Sequence, residues 1–169
     1  MTMEKALQWE SLLQKRAERY RKKKEKLTEE GDEMVFFVRG ATTYVVPLKE
    51  LSEIRKLEHL SRFPSCSPVI KGVVNVRGRL VIVHDLGSFQ KQSLPLPEEG
   101  WLLVGFGDSE GVSLLADDVV GIQKLAMTEL EPIPLTVGER TQCYHGLSKE
   151  GAIVLNMEQL LQHKDFFYA

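Results

Sequence analysis

The sequence predicts a mainly β protein of small-barrel type behind a helical N-terminal extension. Three observations predict it. The apolar period changes from helical to strand-like just after Gly31-Asp32. From there, short β-branched runs recur in pairs around glycine-bearing turns, and one short capped helix closes the chain. At 169 residues the chain suits one domain, or two small lobes sharing a core.

Charge is unevenly spread. The whole chain carries −2, but residues 1–31 carry +3 and residues 32–169 carry −5. A basic arm therefore precedes a mildly acidic body. The longest apolar runs are a few residues, too short to cross a bilayer, and MTMEKALQWE lacks the pattern of a signal peptide. Cys66 and Cys143 stand far apart and in no paired motif, so the expectation is two reduced thiols in a cytoplasmic protein.

Residues 4–30 contain no Gly or Pro and are rich in good helix formers, which predicts a helix. Ala6, Leu13, Tyr20 and Leu27 recur every seven residues, with Trp9 and Ala17 near the same stripe. After Tyr20 the run RKKKEK takes over. MVFFV and TTYVV then flank Arg39-Gly40 as a first hairpin, ended by Pro47. A brief helical turn is expected near residues 48–52, followed by an extended segment. The second hairpin is the most informative segment. Val69–Val76 and Leu80–Val83 flank Arg77-Gly78, with a proline-bounded loop before and Asp85 after.

Residues 87–100 read as a loop rich in Gly, Ser, Pro and Glu. WLLVGF (101–106) and GVSLLADDVV (111–120) flank GDSE as a third hairpin. Tyr144–Leu147 and Ala152–Leu155 flank SKEG as a fourth. Asn156 is placed to cap a last helix at about 157–163, with Gln159 as its capping-box partner.

These residues together resemble a known family. GVVNVRGRLVIVHDL (72–86) is similar to the signature of CheW-like domains, the adaptor modules of bacterial chemosensory arrays. FFVRGATTYVVP resembles the family's first hairpin, SEI (52–54) stands where the family carries its glutamate, and FPSCSP leads into the signature. LLADDVVGI (114–122) and HGLSKEGAIVLNMEQLL resemble the later strand and the close, so the likeness spans about residues 33–162. The resemblance implies a mainly β fold of two SH3-like five-stranded β-barrel lobes with short helices and a groove between them. It divides the chain into a basic helical extension, 1–31, and a CheW-like domain, 32–163.

The function implied is that of a non-catalytic scaffold without a cofactor. Its partners would be the cytoplasmic tip of a chemoreceptor, a methyl-accepting protein, and the regulatory domain of a CheA-type histidine kinase. By the same resemblance Glu53 and Arg77 form a charged pair bracing the receptor-facing surface. Leu51, Gly72, Leu102 and Ile122 fall at or near positions that line the groove or face a partner. Ile54, Asn75 and Gly78, from the same segments, complete the protein-binding set. Ile82, His84 and Ser113 depart from the pattern, where the family usually has proline, a β-branched residue and glycine.

Other chemistry reads weakly. Neighbours on a strand point to opposite faces, so His84-Asp85 makes a poor dyad and Asp117-Asp118 a poor Mg²⁺ site; the resemblance makes Asp117 structural. Cys143 and His145 share a face but lack the further partners a nucleophile or zinc site needs. Gly105 and Gly107 precede no helix and cradle no phosphate. The run RYRKKKEK leaves a nucleic-acid or anionic-surface binder as the alternative function, though a solvated helix face is the commoner explanation. A hydrolase using Cys143 is the third.

Overall fold

A computed structural model describes residues 3–23, 31–62, 64, 67–105, 111–134 and 140–167. α1 (Met3–Lys23) is the helical arm; residues 24–30 of the expected helix lie outside the described residues. Every α1 side chain that is described, including Leu13 and Ala17 of the stripe, is exposed.

The body begins with the hairpin of β1 (Asp32–Arg39) and β2 (Thr42–Pro47). Arg39 pairs with Thr42, so the turn is Gly40-Ala41 rather than Arg39-Gly40. That one-residue difference puts Arg39 inside the protein instead of on a loop. A single 3₁₀ turn, Leu48–Glu50, gives way at Leu51 to β3 (Leu51–Lys56). β4 (Ile70–Val76) and β5 (Arg79–His84) form the signature hairpin. Its two-residue turn has φ of 52° at Arg77 and 83° at Gly78, the type I′ signature whose twist matches the strands. Asn75 Oδ1 accepts from the Gly78 N–H at 2.8 Å and fixes the turn from within.

The expected loop after β5 opens instead with α2 (Leu86–Phe89), because the Asp85 side chain accepts from the Gly87 N–H and caps it. β6 (Trp101–Gly105) pairs with β7 (Val112–Ala116), as the third hairpin requires. The apolar run does not continue to residue 120 as one strand, however. It breaks at Asp117, and β8 (Asp118–Leu125) joins the other sheet beside β1. β9 (Tyr144–Leu147) and β10 (Ile153–Leu155) form the fourth hairpin. α3 (Met157–Gln162) and α4 (Lys164–Phe167) close the described chain. Asn156 Oδ1 caps α3 through the Gln159 N–H, but the Asn156 N–H donates to the Cys143 carbonyl. Backbone thus takes the place of the reciprocal half of a capping box.

Among the described residues the strands form two five-stranded sheets, ordered β8-β1-β2-β10-β9 and β3-β6-β7-β5-β4. Each contains one parallel contact, β10 on β2 and β5 on β7, which the sequence reading did not foresee. The two sheets share one topology. β3 to β7 trace the path that β8, β9, β10, β1 and β2 trace in the other, so the second sheet is inserted into the first between β2 and β8. Among the described residues neither ladder closes into a full barrel. Each sheet instead curls until one bridge joins its margins, Ser61 to Val73 in one and Glu131 to Leu147 in the other. A glycine stands at the same place in both. A Cβ on Gly72 would overlap the Ser61 carbonyl oxygen, and one on Gly146 would sit 2.7 Å from that of Glu131.

Two departures from the resembled pattern support the β5–β7 contact. The Ile82 N–H, which a proline would lack, donates to the Gly111 carbonyl at 2.7 Å. Ser113 Oγ donates to the Ile82 carbonyl at 3.0 Å.

Strand alternation sorts the apolar side chains into three buried clusters. Met34, Phe36, Val45 and Val154 fill the inside of the first sheet, and Val74, Val81, Val83, Leu102 and Leu115 that of the second. Val35, Phe37, Tyr44, Leu103 and Leu114 face outward from both sheets and join Phe89, Met157 and Phe166 between them. The run MVFFV is apolar at successive positions, and VSLLA at all but Ser113, because their strands are buried on both faces.

One polar device crosses this apolar joint. The Arg39 guanidinium is 2 % exposed. It donates in a fork to Asp85, Nε to Oδ1 at 2.8 Å and Nη2 to Oδ2 at 2.9 Å, and through Nη1 to Asp117 Oδ1 and the Pro95 carbonyl, each at 3.0 Å. Asp117 Oδ2 accepts from the Gly40 N–H at 2.6 Å, and Lys71 Nζ lies 3.6 Å from Asp85. Two cations thus meet two carboxylates. Burial alone would push the Asp85 carboxyl up; the Arg39 hydrogen bonds and charge, with the Gly87 N–H and Lys71, outweigh it and hold the carboxyl below its ordinary value. Replacing Arg39 leaves a buried carboxylate short of its main partner. Arg39→Met is expected to lower unfolding free energy by about 3 kcal/mol in a urea titration, and Arg39→Met with Asp85→Asn to lose less than the two single changes summed.

Candidate protein-binding surface

The predicted site residues fall into two groups. Leu51 and Ile54 lie on β3, an edge strand, and pair across from Gly105 and Leu103. Leu103 belongs to the cluster between the sheets, so both side chains project to that face and are only partly buried against it. Ile122 lies on β8, the edge strand of the other sheet, opposite Val35 of the same cluster, and is 46 % exposed. The apolar joint therefore surfaces along the margins of β3 and β8 as a rim of aliphatic side chains.

The second group gathers at the signature turn. Arg77 Nη2 lies 3.1 Å from Glu53 Oε2, which joins the tip of the β4–β5 hairpin to β3 across the same sheet. Arg77 is 83 % exposed and Glu53 19 %. Arg55, which the sequence reading passed over, lies 3.4 Å from the other Glu53 oxygen. Residues two apart on a strand share a face, so the signal for Arg55 was present in SEIR. Asn75 and Gly78 build the turn, and Gly72 supplies the close backbone contact to Ser61.

Leu102 does not join either group. Its side chain is 1 % exposed and lies inside the second sheet, on the face opposite Leu103. A position expected to line the groove or face a partner therefore belongs to the core of the second sheet, on the strand that pairs with β3. The expected groove between the lobes is itself largely filled by the central cluster, leaving the rim as the accessible part.

The other candidates resolve into structure. His84 and Asp85 are both fully buried, yet they diverge: His84 stacks on Phe166 with centroids 4.2 Å apart and rings within 5°, while Asp85 serves Arg39. Burial drives the imidazole pKa down to about 4, with backbone groups of Ile82 and Ser113 opposing in part. Burial likewise pushes the Cys143 thiol up, partly offset by Arg140, which disfavours the thiolate a nucleophile needs. Cys143 ends a 3₁₀ turn just before β9 rather than sharing that strand with His145, which is exposed. Arg140 instead pairs with Asp165 at 2.8 Å and lies over the Phe89 ring at 4.4 Å, pinning α4 to the core. Cys66 lies outside the described residues. Among the described residues no three His, Cys, Asp or Glu side chains group as a metal site would, and no helix is long and apolar enough to cross a membrane.

Comparison with known proteins agrees with this architecture. The CheW-like domain family matches residues 33–165. The chain is 27 % identical over 140 residues to the chemotaxis protein CheW of Klebsiella aerogenes, covering 80 % of this chain and 84 % of that one. It is 29 % identical over 134 residues to protein PilI of Pseudomonas aeruginosa, covering 77 % and 75 %. In three dimensions it is similar to the crystal structure of the scaffolding protein TtCheW from Thermoanaerobacter tengcongensis, with a TM-score of 0.66 and 18 % identity over 78 % of this chain and 88 % of that one.

The buried imidazole has a consequence in acid. The unfolded chain takes up a proton near the ordinary His value, whereas the folded chain resists until about pH 4. Stability should therefore fall by roughly 3 kcal/mol as pH drops from about 6.5 to about 4. Asp85 acts lower, because its depressed pKa protects it until the carboxylate range is passed. Chemical denaturation at stepped pH is expected to show this slope in the native sequence and a much flatter profile above pH ~4.5 in His84→Val.

Proposed function

The chain belongs to the CheW-like domain family, and on that premise we propose that it is a non-catalytic adaptor joining a chemoreceptor tip to a CheA-type kinase. The family match over residues 33–165, a range that contains the signature hairpin, carries this reading. Each curled sheet with its single closing bridge is read as an open SH3-like lobe.

Two features of the surface support it. Arg77 adopts a left-handed backbone at the first turn position, where Asn, Asp or Gly would be cheaper by about 1 kcal/mol. An arginine standing there, mostly in solvent, is better explained by what it presents than by its fit to the turn. Glu53 aims that guanidinium, leaving its remaining N–H groups free to meet acceptors on a partner. The rim of Leu51, Ile54 and Ile122 offers aliphatic contact to a helical face, the mode by which an amphipathic helix docks in an apolar groove. Such contacts are individually weak and gain firmness when many adaptors, receptors and kinases bind together.

Co-purification with a receptor-tip fragment and with a CheA-type regulatory fragment tests the reading. The native sequence is expected to bind both. Arg77→Glu, Glu53→Arg and Ile122→Glu should each weaken receptor-tip binding about tenfold or more, since rim charges and anchors act locally. Thermal midpoints should barely move for Arg77→Glu, because so exposed a pair contributes at most about 1 kcal/mol. Retained tip binding by all three variants would remove the assigned surface, and absence of binding to either fragment would remove the adaptor role.

A further inference from the structure

The adaptor reading leaves α1 without a task. It is a 21-residue helix, about 31 Å long, and its described side chains lie in solvent. Leu12 and Leu13 are each 52 % exposed at its middle, so large apolar side chains stand uncovered there. Helical spacing puts positions 6, 9, 13, 17 and 20 on one stripe. The intervals are 3, 4, 4 and 3, so the stripe reads the same from either end, with Leu13 at its centre. Leu13 is also the midpoint of Met3–Lys23.

Residue size along this stripe is not symmetric; it is complementary. If two copies cross antiparallel at Leu13, Ala6 falls opposite Tyr20 of the second copy and Trp9 opposite Ala17. Small meets large at each level, as a packed seam requires. A parallel pair would instead set Trp9 against Trp9 and Ala17 against Ala17.

Charge selects the same arrangement. Residues 3–12 hold two acids and one base, net −1, whereas residues 14–23 hold six bases and one acid, net +5. Parallel pairing would lay the two basic halves together. Antiparallel pairing lays each beside the acidic half of the other, with Glu10 level with Arg16 and Glu4 level with Lys22.

We propose that α1 is a self-association helix, forming a two-fold antiparallel pair with α1 of a second copy of this chain. The contact is isologous, so it closes at two copies and does not run on into fibres. The contact is a single pair of 21-residue helices, so the dissociation constant is expected in the micromolar range or weaker. The pairing does not depend on the adaptor reading. Where adaptors are already gathered, tethering makes such a contact effective and lets it bridge neighbouring molecules.

Sedimentation velocity on the full chain across the micromolar range tests it. A reversible monomer–dimer equilibrium is expected, weakened about tenfold or more by Leu13→Glu and abolished by deleting residues 1–31. Orientation follows from oxidative cross-linking in a Cys66→Ser, Cys143→Ala background. Leu13→Cys should link to itself, and Ala6→Cys should link to Tyr20→Cys in a mixture but not to itself. Self-linking of Ala6→Cys would mean a parallel pair and overturn the proposal. So would a monomer at every concentration, a dimer that survives loss of the arm, or an arm that associates only with anionic phosphatidylglycerol vesicles. Loss of kinase or receptor binding would leave it standing.

Discussion

The arrangement of the two sheets depends on the Arg39 guanidinium. It is held by Asp85 at the end of β5, by Asp117 at the switch from β7 to β8, and by the Pro95 carbonyl of the intervening loop. Those segments belong to different sheets or to the passage between them. The second sheet is an insertion, so the chain must leave the first sheet after β2 and return at β8. The return is the exacting step, because a continuous apolar run must be broken at one residue. Asp117 breaks it by accepting from Arg39 and the Gly40 N–H, while its own N–H donates to the Val38 carbonyl. Apolar packing in the central cluster supplies the attraction between the sheets, but it is non-directional. A fork of charged hydrogen bonds in a dry site accepts one geometry, and so it specifies the relative setting of the lobes rather than adding much to their net attraction.

That setting is what gives the surface its shape. Leu51 and Ile54 on one sheet and Ile122 on the other share the inter-sheet face only because the lobes meet back to back. The Glu53–Arg77 pair, by contrast, lies within the second lobe and needs only the curl of that sheet and the type I′ turn. A partner that reads both groups therefore reads the orientation of the lobes as well as their side chains. A joint set by buried contacts before binding lowers the ordering cost of presenting such a composite surface.

Much of the fold was legible because local rules suffice for it. The hairpins at β1–β2, β4–β5, β6–β7 and β9–β10 follow from paired β-branched runs around glycine turns, and the Asn156 cap follows from its position. The pairing of Glu53 with Arg77 came from resemblance, not from any local rule, since the residues are far apart in the chain. The errors share a cause. Arg39 was placed in the turn although it keeps the parity of Val35 and Phe37, toward the cluster between the sheets, because a charged residue beside glycine ordinarily marks a loop. Leu102 was assigned to the groove because the face a strand residue takes depends on register, and one step separates it from Leu103.

By itself the sequence determined the four hairpins and the closing helix, the turn chemistry of Arg77-Gly78, the charge division between arm and body, and, by resemblance, the family. The first three are written in neighbouring residues, through backbone preference, alternation or local charge. Only the tertiary structure decided that one apolar run serves two sheets, that each sheet carries a parallel contact, and that Arg39, Asp85 and Asp117 meet. These are contacts between segments 30 to 109 residues apart, and Arg39 alone reaches 46 residues to Asp85 and 78 to Asp117. A short-range pattern carries no record of which distant carboxylate a buried cation will find; that is fixed when the sheets pack and every buried charge must be matched.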